Sequence, residues 1–255
     1  LDLKYKSGVG KQPIPVVYGL TMGEYAMMLL GEKWLSKEAN DVNSFNITTK
    51  PTTDTPFHFM VIKCKDYTHN TKYELPVKPS PNLPNIQSIY LYPSTCFFEG
   101  TVLSEGRGTT KPFQVFGHPS YPKTLHSFTP NPNEGAKSSK LYGQQCYGWD
   151  LSGTVDDVLA KTGSQIQLKW LIEAYKLFPD KNNFFLLPKS GKMEESFLNK
   201  LAGNNDLWQQ IKAGKSETEI RKSWEPKLSE YKLIRKKYLL YDDFGPINRK
   251  LNPIR

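Results

Sequence analysis

Between Glu99 and Thr109 the chain places two carboxylates (Glu99, Glu105), one guanidinium (Arg107) and the hydroxyls of Thr101, Ser104 and Thr109 among three glycines, Gly100, Gly106 and Gly108. Glycines admit positive φ and let a ligand approach the backbone, so this is the composition of a polar binding loop. A pair of carboxylates is the equipment of glycoside hydrolysis, in which one acid protonates the leaving oxygen and the other acts as base or nucleophile. Their separation along a loop leaves their distance in space open. Arg107 either offers a bidentate fork to a carboxylate or phosphate, or pairs internally with Glu99 or Glu105 and holds the loop shut.

Competing chemistries lack their signatures. Gly106-x-Gly108 has no third glycine at dinucleotide-binding spacing, and neither GxxxxGK[ST] nor GxSxG occurs. Cys64, Cys96 and Cys146 show no CxxC spacing, and His58, His69, His118 and His126 form no ligand pattern, so no metal and no cofactor are expected. The cysteine count fits either one disulfide with a leftover thiol or three free thiols.

The 255 residues carry 34 Lys+Arg against 25 Asp+Glu, a formal charge of +9. Mean hydropathy is −0.56, and no apolar run approaches the ~18–20 residues that span a bilayer, so no transmembrane segment is expected. Fourteen Tyr, 13 Phe and 5 Trp argue against disorder and for an aromatic-rich core. The densest basic run, Arg235-Lys236-Lys237, lies in a helical pattern and reads as a solvated face. Nucleic-acid binding is not expected, because neither a tight basic patch nor a reader motif is present.

The elements that must position the loop read as an α+β fold, a mixed twisted sheet packed by C-terminal helices. Strands are expected near 57–64, 88–93, 113–116 and 183–187, and 36–56 reads as loop. Thr21 with Glu24 forms a capping box for a helix ending near Trp34; Ser164 with Gln167, and Ser216 with Glu219, form two more. Residues 74–86 hold four prolines and read as a rigid, ordered loop. A helix from Met193 to Leu201 ends at Gly203, another closes at Gly214, and Pro226 is expected to break or restart the last helix near Ser223.

The loop also carries a resemblance. Glu99-Gly-Thr-Val-Leu-Ser-Glu-Gly-Arg-Gly-Thr109 with Lys-Pro-Phe-Gln-Val-Phe-Gly117 resembles the EGTN-x-SEGRGT-x-PFE-x-x-G signature of the NamZ-type exo-β-N-acetylmuramidases. Tyr18-Gly-Leu-Thr-Met-Gly-Glu24 is similar to that family's HGMT-x-GE segment, and Pro79-Ser-Pro-Asn-Leu-Pro84 to its PSPNMP segment. Leu201-Ala-Gly, Gln210-Ile-Lys-Ala-Gly-Lys-Ser216 and Tyr238-Leu-Leu-Tyr241 resemble its C-terminal end. Val102, Tyr18 and Gln114 stand where the signature has Asn, His and Glu.

The resemblance implies that residues 1–242 form a C-terminal substrate-pocket domain, followed by a tail, 243–255, of unclear origin. It further implies that the family's Rossmann-like N-terminal domain, with the probable catalytic Glu, is absent from this chain and would be its partner across the pocket. Glu99 and Glu105 are then the candidate catalytic residues of this segment. Arg107, Thr101, Ser104, Asn82, Tyr18 and His118 are candidate substrate-binding residues. The implied function is part of a secreted or periplasmic glycoside hydrolase that releases terminal β-linked N-acetylmuramic acid from peptidoglycan fragments, this chain forming one wall of the pocket. The alternative is a non-catalytic envelope glycan-binding or assembly module. Arg107 has a specific expected part. N-acetylmuramic acid differs from N-acetylglucosamine by a lactyl ether bearing a carboxylate, and a guanidinium is the side chain best matched to that difference.

Overall fold

The computed structural model describes residues 2–8, 10–42 and 60–245. In chain order they form a 3-10 turn at Leu3–Tyr5, helices α1 (Met22–Gly31), α2 (Lys37–Val42) and α3 (Ile86–Thr95), and a 3-10 turn at Cys96–Gly100. Strands β1 (Val115–His118), β2 (His126–Phe128) and β3 (Cys146–Asp150) follow, then α4 (Val155–Thr162) and α5 (Lys169–Leu177). A 3-10 turn at Met193–Glu195 leads to α6 (Phe197–Ala202), α7 (Asp206–Lys212) and α8 (Glu217–Lys236). The chain divides into two compact units, Leu1–Val17 with Glu74–Trp224, and Tyr18–Tyr73 with Glu225–Arg255.

The larger unit is built on a three-stranded antiparallel sheet in the order β1-β3-β2. Gly117 pairs with Gly148 across β1 and β3, and a Cβ on Gly148 would lie 1.9 Å from the Phe116 carbonyl oxygen, so the strands meet this closely only without side chains there. Phe116 lies between Phe98 (4.0 Å, stacked) and Trp149 (5.1 Å, stacked), tying the sheet to the 96–100 turn. Around them Leu91, Leu103, Val158, Leu168, Leu171, Phe184, Leu198 and Ile220 complete one buried apolar cluster.

Several expected elements are replaced. Among the described residues the expected mixed sheet is replaced by this small antiparallel one. The 88–93 strand is helix α3: the Asn85 side chain accepts from the Ser88 N–H at 2.9 Å, and Ser88, Leu91 and Thr95 turn to the inside at helical spacing. Pro93 falls in its last turn and removes one bond, the N–H that would donate to the Ile89 carbonyl. The 113–116 strand begins two residues later, because Phe113 takes φ +61° in a tight turn. Phe184 and Phe185 are buried as expected of core residues, but 183–187 contributes only an isolated bridge, Thr101 with Phe185. Residues 60–64 have no regular structure, and 57–59 lie outside the described residues. Lys37–Val42, expected as loop, is helical, and 43–56 lies outside the described residues.

Capping was partly legible. The Thr21–Glu24 box is present, with the Thr21 N–H donating to Glu24 at 2.7 Å, although α1 stops at Gly31, short of Trp34. The Ser216–Glu219 box opens α8. Ser164 instead takes φ +57°, and the Gln167 side chain bonds back to the Thr162 carbonyl, so no box forms there. Gly203 is the left-handed cap of α6 and Gly214 follows α7 at φ +75°. The expected helix from Met193 is a 3-10 turn and α6, separated at Ser196, and Pro226 lies inside an unbroken α8.

In the smaller unit α1 carries Glu24, fully buried, which accepts from the backbone N–H groups of Thr21 and Leu240 and contacts His69 Nε2 at 3.0 Å. Arg235, read from sequence as solvated, is buried here: it donates to the Gly19 carbonyl and forks onto Asp243 at 2.8 and 2.9 Å. Of the expected tail, residues 246–255 lie outside the described residues.

Candidate functional site

The polar loop is shaped by its glycines. Gly106 (φ +81°) and Gly108 (φ +82°) hold left-handed backbone, and a Cβ on Gly108 would lie 2.6 Å from the Asn131 carbonyl oxygen. The loop closes on itself: Ser104 and Gly117 exchange backbone hydrogen bonds at 2.9 and 3.0 Å, and the Phe113 N–H donates to the Glu105 carbonyl at 2.8 Å. A Cβ on Gly100 would meet the Leu198 Cβ at 2.6 Å, so the turn carrying Glu99 sits directly against the start of α6.

This backbone brings the candidate charges together. Arg107 Nη2 lies 2.6 Å from Glu99 Oε2, and its Nη1 lies 3.2 Å from Glu105 Oε1. The guanidinium rests over the Phe113 ring, 4.9 Å from its centroid. Lys140 approaches from the far side: its Nζ is 2.9 Å from Glu105 Oε2 and donates to the carbonyls of Phe98 (2.8 Å) and Thr101 (2.9 Å). Glu105, with a side chain 2% exposed, is thus held between two cations, whereas Arg107 keeps 30% of its side chain exposed. Two contacts engage two of the five guanidinium N–H groups, which leaves donors for a ligand. Of the two expected parts of Arg107, the internal pairing is present, with both Glu99 and Glu105.

Burial pushes the Glu99 carboxyl above its ordinary range, and neighbouring Glu105 adds to this; Arg107 and Lys140 only partly offset it. Burial pulls Lys140 down against the opposing pull of Glu105 and Glu99. The Tyr92 hydroxyl is pushed up to about 12 by burial and then by Glu99.

Glu99, Glu105, Arg107 and Lys140 line a cleft of about 580 Å³, closed by Asn82, the 135–139 segment and Phe197. That volume falls in the range of small-molecule sites. Asn82 is held there by donation to the Gly135 carbonyl at 2.7 Å. Four other candidates do not line it. The Thr101 hydroxyl is buried and donates to the Phe98 carbonyl, and the Ser104 hydroxyl is buried and accepts from the Gly106 N–H, so both brace the loop. The His118 Nδ1 contacts the Ser120 hydroxyl at 2.7 Å, its ring packs edge-on against Phe178, and burial lowers its pKa. Tyr18 belongs to the smaller unit, where its carbonyl accepts from the Tyr231 hydroxyl.

Of the positions that depart from the signature, Gln114 is buried and donates to Ser88 Oγ and Asn85 Oδ1, supporting the start of α3. Val102 packs at the edge of the apolar cluster. Sequence reasoning missed Lys140, the 135–139 segment and Phe197. No local sequence signal pointed to them; the structure sets Gly135 so close to Asn82 that an added Cβ would lie 2.8 Å from its Oδ1. Cys96 and Cys146 are buried free thiols and Cys64 an exposed one. Among the described residues no group of three or more His, Cys, Asp or Glu is placed to hold a metal ion.

Known proteins match along most of the chain. Residues 90–241 match the family described as exo-β-N-acetylmuramidase NamZ, C-terminal, and residues 1–87 match its N-terminal counterpart. The chain is 33% identical, over 94% of its length, to the peptidoglycan β-N-acetylmuramidase NamZ of Bacillus subtilis (strain 168), of which it spans 55%. A crystal structure of a DUF1343 family protein from Bacteroides fragilis NCTC 9343 is 42% identical, with a TM-score of 0.79, over 96% of this chain and 62% of that one. A second from the same organism, 22% identical with a TM-score of 0.69, shares the fold over 93% of this chain and 60% of its own.

These matches overturn the expectation that the chain is the C-terminal region alone and that the N-terminal domain is a missing partner: residues 1–87 belong to the N-terminal family region. Asn82 from that region and Glu99, Glu105 and Arg107 from the C-terminal one line the same cleft. The chain belongs to the NamZ exo-β-N-acetylmuramidase family.

Proposed function

We propose that the chain supplies the substrate-binding wall of a glycosidase that releases terminal β-linked N-acetylmuramic acid from peptidoglycan fragments, acting outside the cytoplasm as a secreted or periplasmic protein. The observation that carries this reading is Arg107, pinned by two carboxylates yet 30% exposed where it lines the cleft. A guanidinium held this way is oriented before the ligand arrives and loses little freedom on binding a carboxylate. The lactyl carboxylate of N-acetylmuramic acid is that ligand, and Lys137 on the same cleft adds a positive charge beside those of Arg107 and Lys140.

Glu99 is the proton donor in this scheme, because burial keeps its carboxyl protonated to higher pH than usual. It gives its proton to the glycosidic oxygen as the bond to C1 breaks; water then bonds to C1 and its proton returns to the carboxylate. Glu105, covered and paired with both cations, orients Arg107 rather than meeting substrate. The same pairing supports a second reading, a module that binds envelope glycan without cutting it.

The test is release of chromophore from a β-N-acetylmuramic acid glycoside by the full-length protein. Release is the expected result. Retention of the sugar without release would replace the enzyme by the binding module.

A further inference from the structure

We propose that Phe197 is the stacking platform of the cleft, its ring taking the apolar C–H face of the bound pyranose while Arg107 takes the carboxylate. The inference rests on the proposed sugar-binding function and adds the residue that recognises the ring itself.

Phe197 is the first residue of α6 and is 50% exposed, the one large apolar side chain on a cleft otherwise lined by charged, polar and small residues. Its neighbours on both sides are fixed. Ser196 is buried and caps the helix by accepting from the Asn199 N–H, and Leu198 is fully buried against Gly100. Gly100 directly follows Glu99, so the packing that anchors α6 also sets the ring beside the turn bearing the proposed proton donor. A large aromatic left half-exposed one position from a fully buried leucine is not there to fill the core; it covers itself when a flat apolar surface arrives. Pyranoses have one, formed by their axial C–H groups, and the surrounding charges take the polar substituents.

The experiment compares full-length wild type with Phe197→Ala, Phe197→Leu and Phe197→Tyr on a chromogenic β-N-acetylmuramic acid glycoside, with melting temperatures measured in parallel. Loss of the ring is expected to lower kcat/KM by about 10-fold or more in both the Ala and Leu variants, chiefly through KM, and Tyr to stay within about 3-fold of wild type. Ala and Leu variants near wild type overturn the proposal. So does a Leu variant that keeps activity while Ala loses it, because that pattern needs only apolar bulk. A wild type without turnover removes the enzyme reading but not this one, which is then read by saturation-transfer NMR with N-acetylmuramic acid. Transfer to the pyranose C–H protons that disappears in Phe197→Leu supports the platform; transfer unchanged in that variant, or none in wild type, overturns it.

Discussion

Glu99 and Glu24 show how the surroundings of one residue type set opposite behaviour. At Glu99 burial dominates and keeps the carboxyl protonated above its ordinary range. If Glu99 is the proton donor, kcat falls on the alkaline side as pH rises through that raised value, and Glu99→Gln removes most turnover along with that limb; a full pH–rate profile of the two proteins checks both. At Glu24 burial also acts to raise the pKa, but hydrogen bonds from the Thr21 and Leu240 backbone and from His69 outweigh it, and the net shift is downward. The folded protein therefore binds its proton less readily than the unfolded chain. The stability this contributes is fully present above the ordinary value of 4.5 and is lost as pH falls through the lowered one. Glu24→Gln is expected to cost about 2–4 kcal/mol at pH 7, a deficit that shrinks in acid. Urea titrations of both proteins at pH 7 and pH 3 measure it, and an equal deficit at both values would contradict the account.

At the scale of elements, the loop from Gly100 to Thr109 depends on backbone that only glycine adopts without cost. Gly108→Ala must accept φ +82° and displace the Asn131 carbonyl, so a loss of about 1–3 kcal/mol and a lower Tm are expected, with weakened sugar binding because the cleft wall shifts. An unchanged Tm would contradict this. The same loop marks what could be read without the structure. Glu99, Glu105, Arg107 and Asn82 were legible because glycine-spaced charges and a family-like segment are local signals. Helix α3 was not, since Ile89-Tyr-Leu-Tyr92 has strand-like side chains, and burial of Ser88, Leu91 and Thr95 at helical spacing overrode that preference. Of the sheet only β1 was legible, two residues early; β2 and β3 were missed because they are short and the close approach in the sheet is made at Gly117 and Gly148. Lys140 was invisible because its role comes from tertiary contact with Phe98, Thr101 and Glu105, far away in sequence.

At the scale of the molecule, the family junction between residues 87 and 90 does not coincide with the division into compact units, and the cleft lies within the larger unit while drawing on both family regions. The charge of +9 does not decide the function, because Arg107 and Lys140 are already paired with Glu99 and Glu105 at the cleft. What decides it is whether the exposed edge of Arg107 reads a carboxylate. The most direct measurement is the ratio of kcat/KM for β-N-acetylmuramic acid and β-N-acetylglucosamine glycosides, in the full-length protein and in its Arg107→Lys variant. Wild type is expected to prefer the muramic acid glycoside strongly, and the variant to lose about 10–100-fold of that preference, since Lys keeps the charge but loses the fork. A variant that retains the wild-type ratio would contradict it.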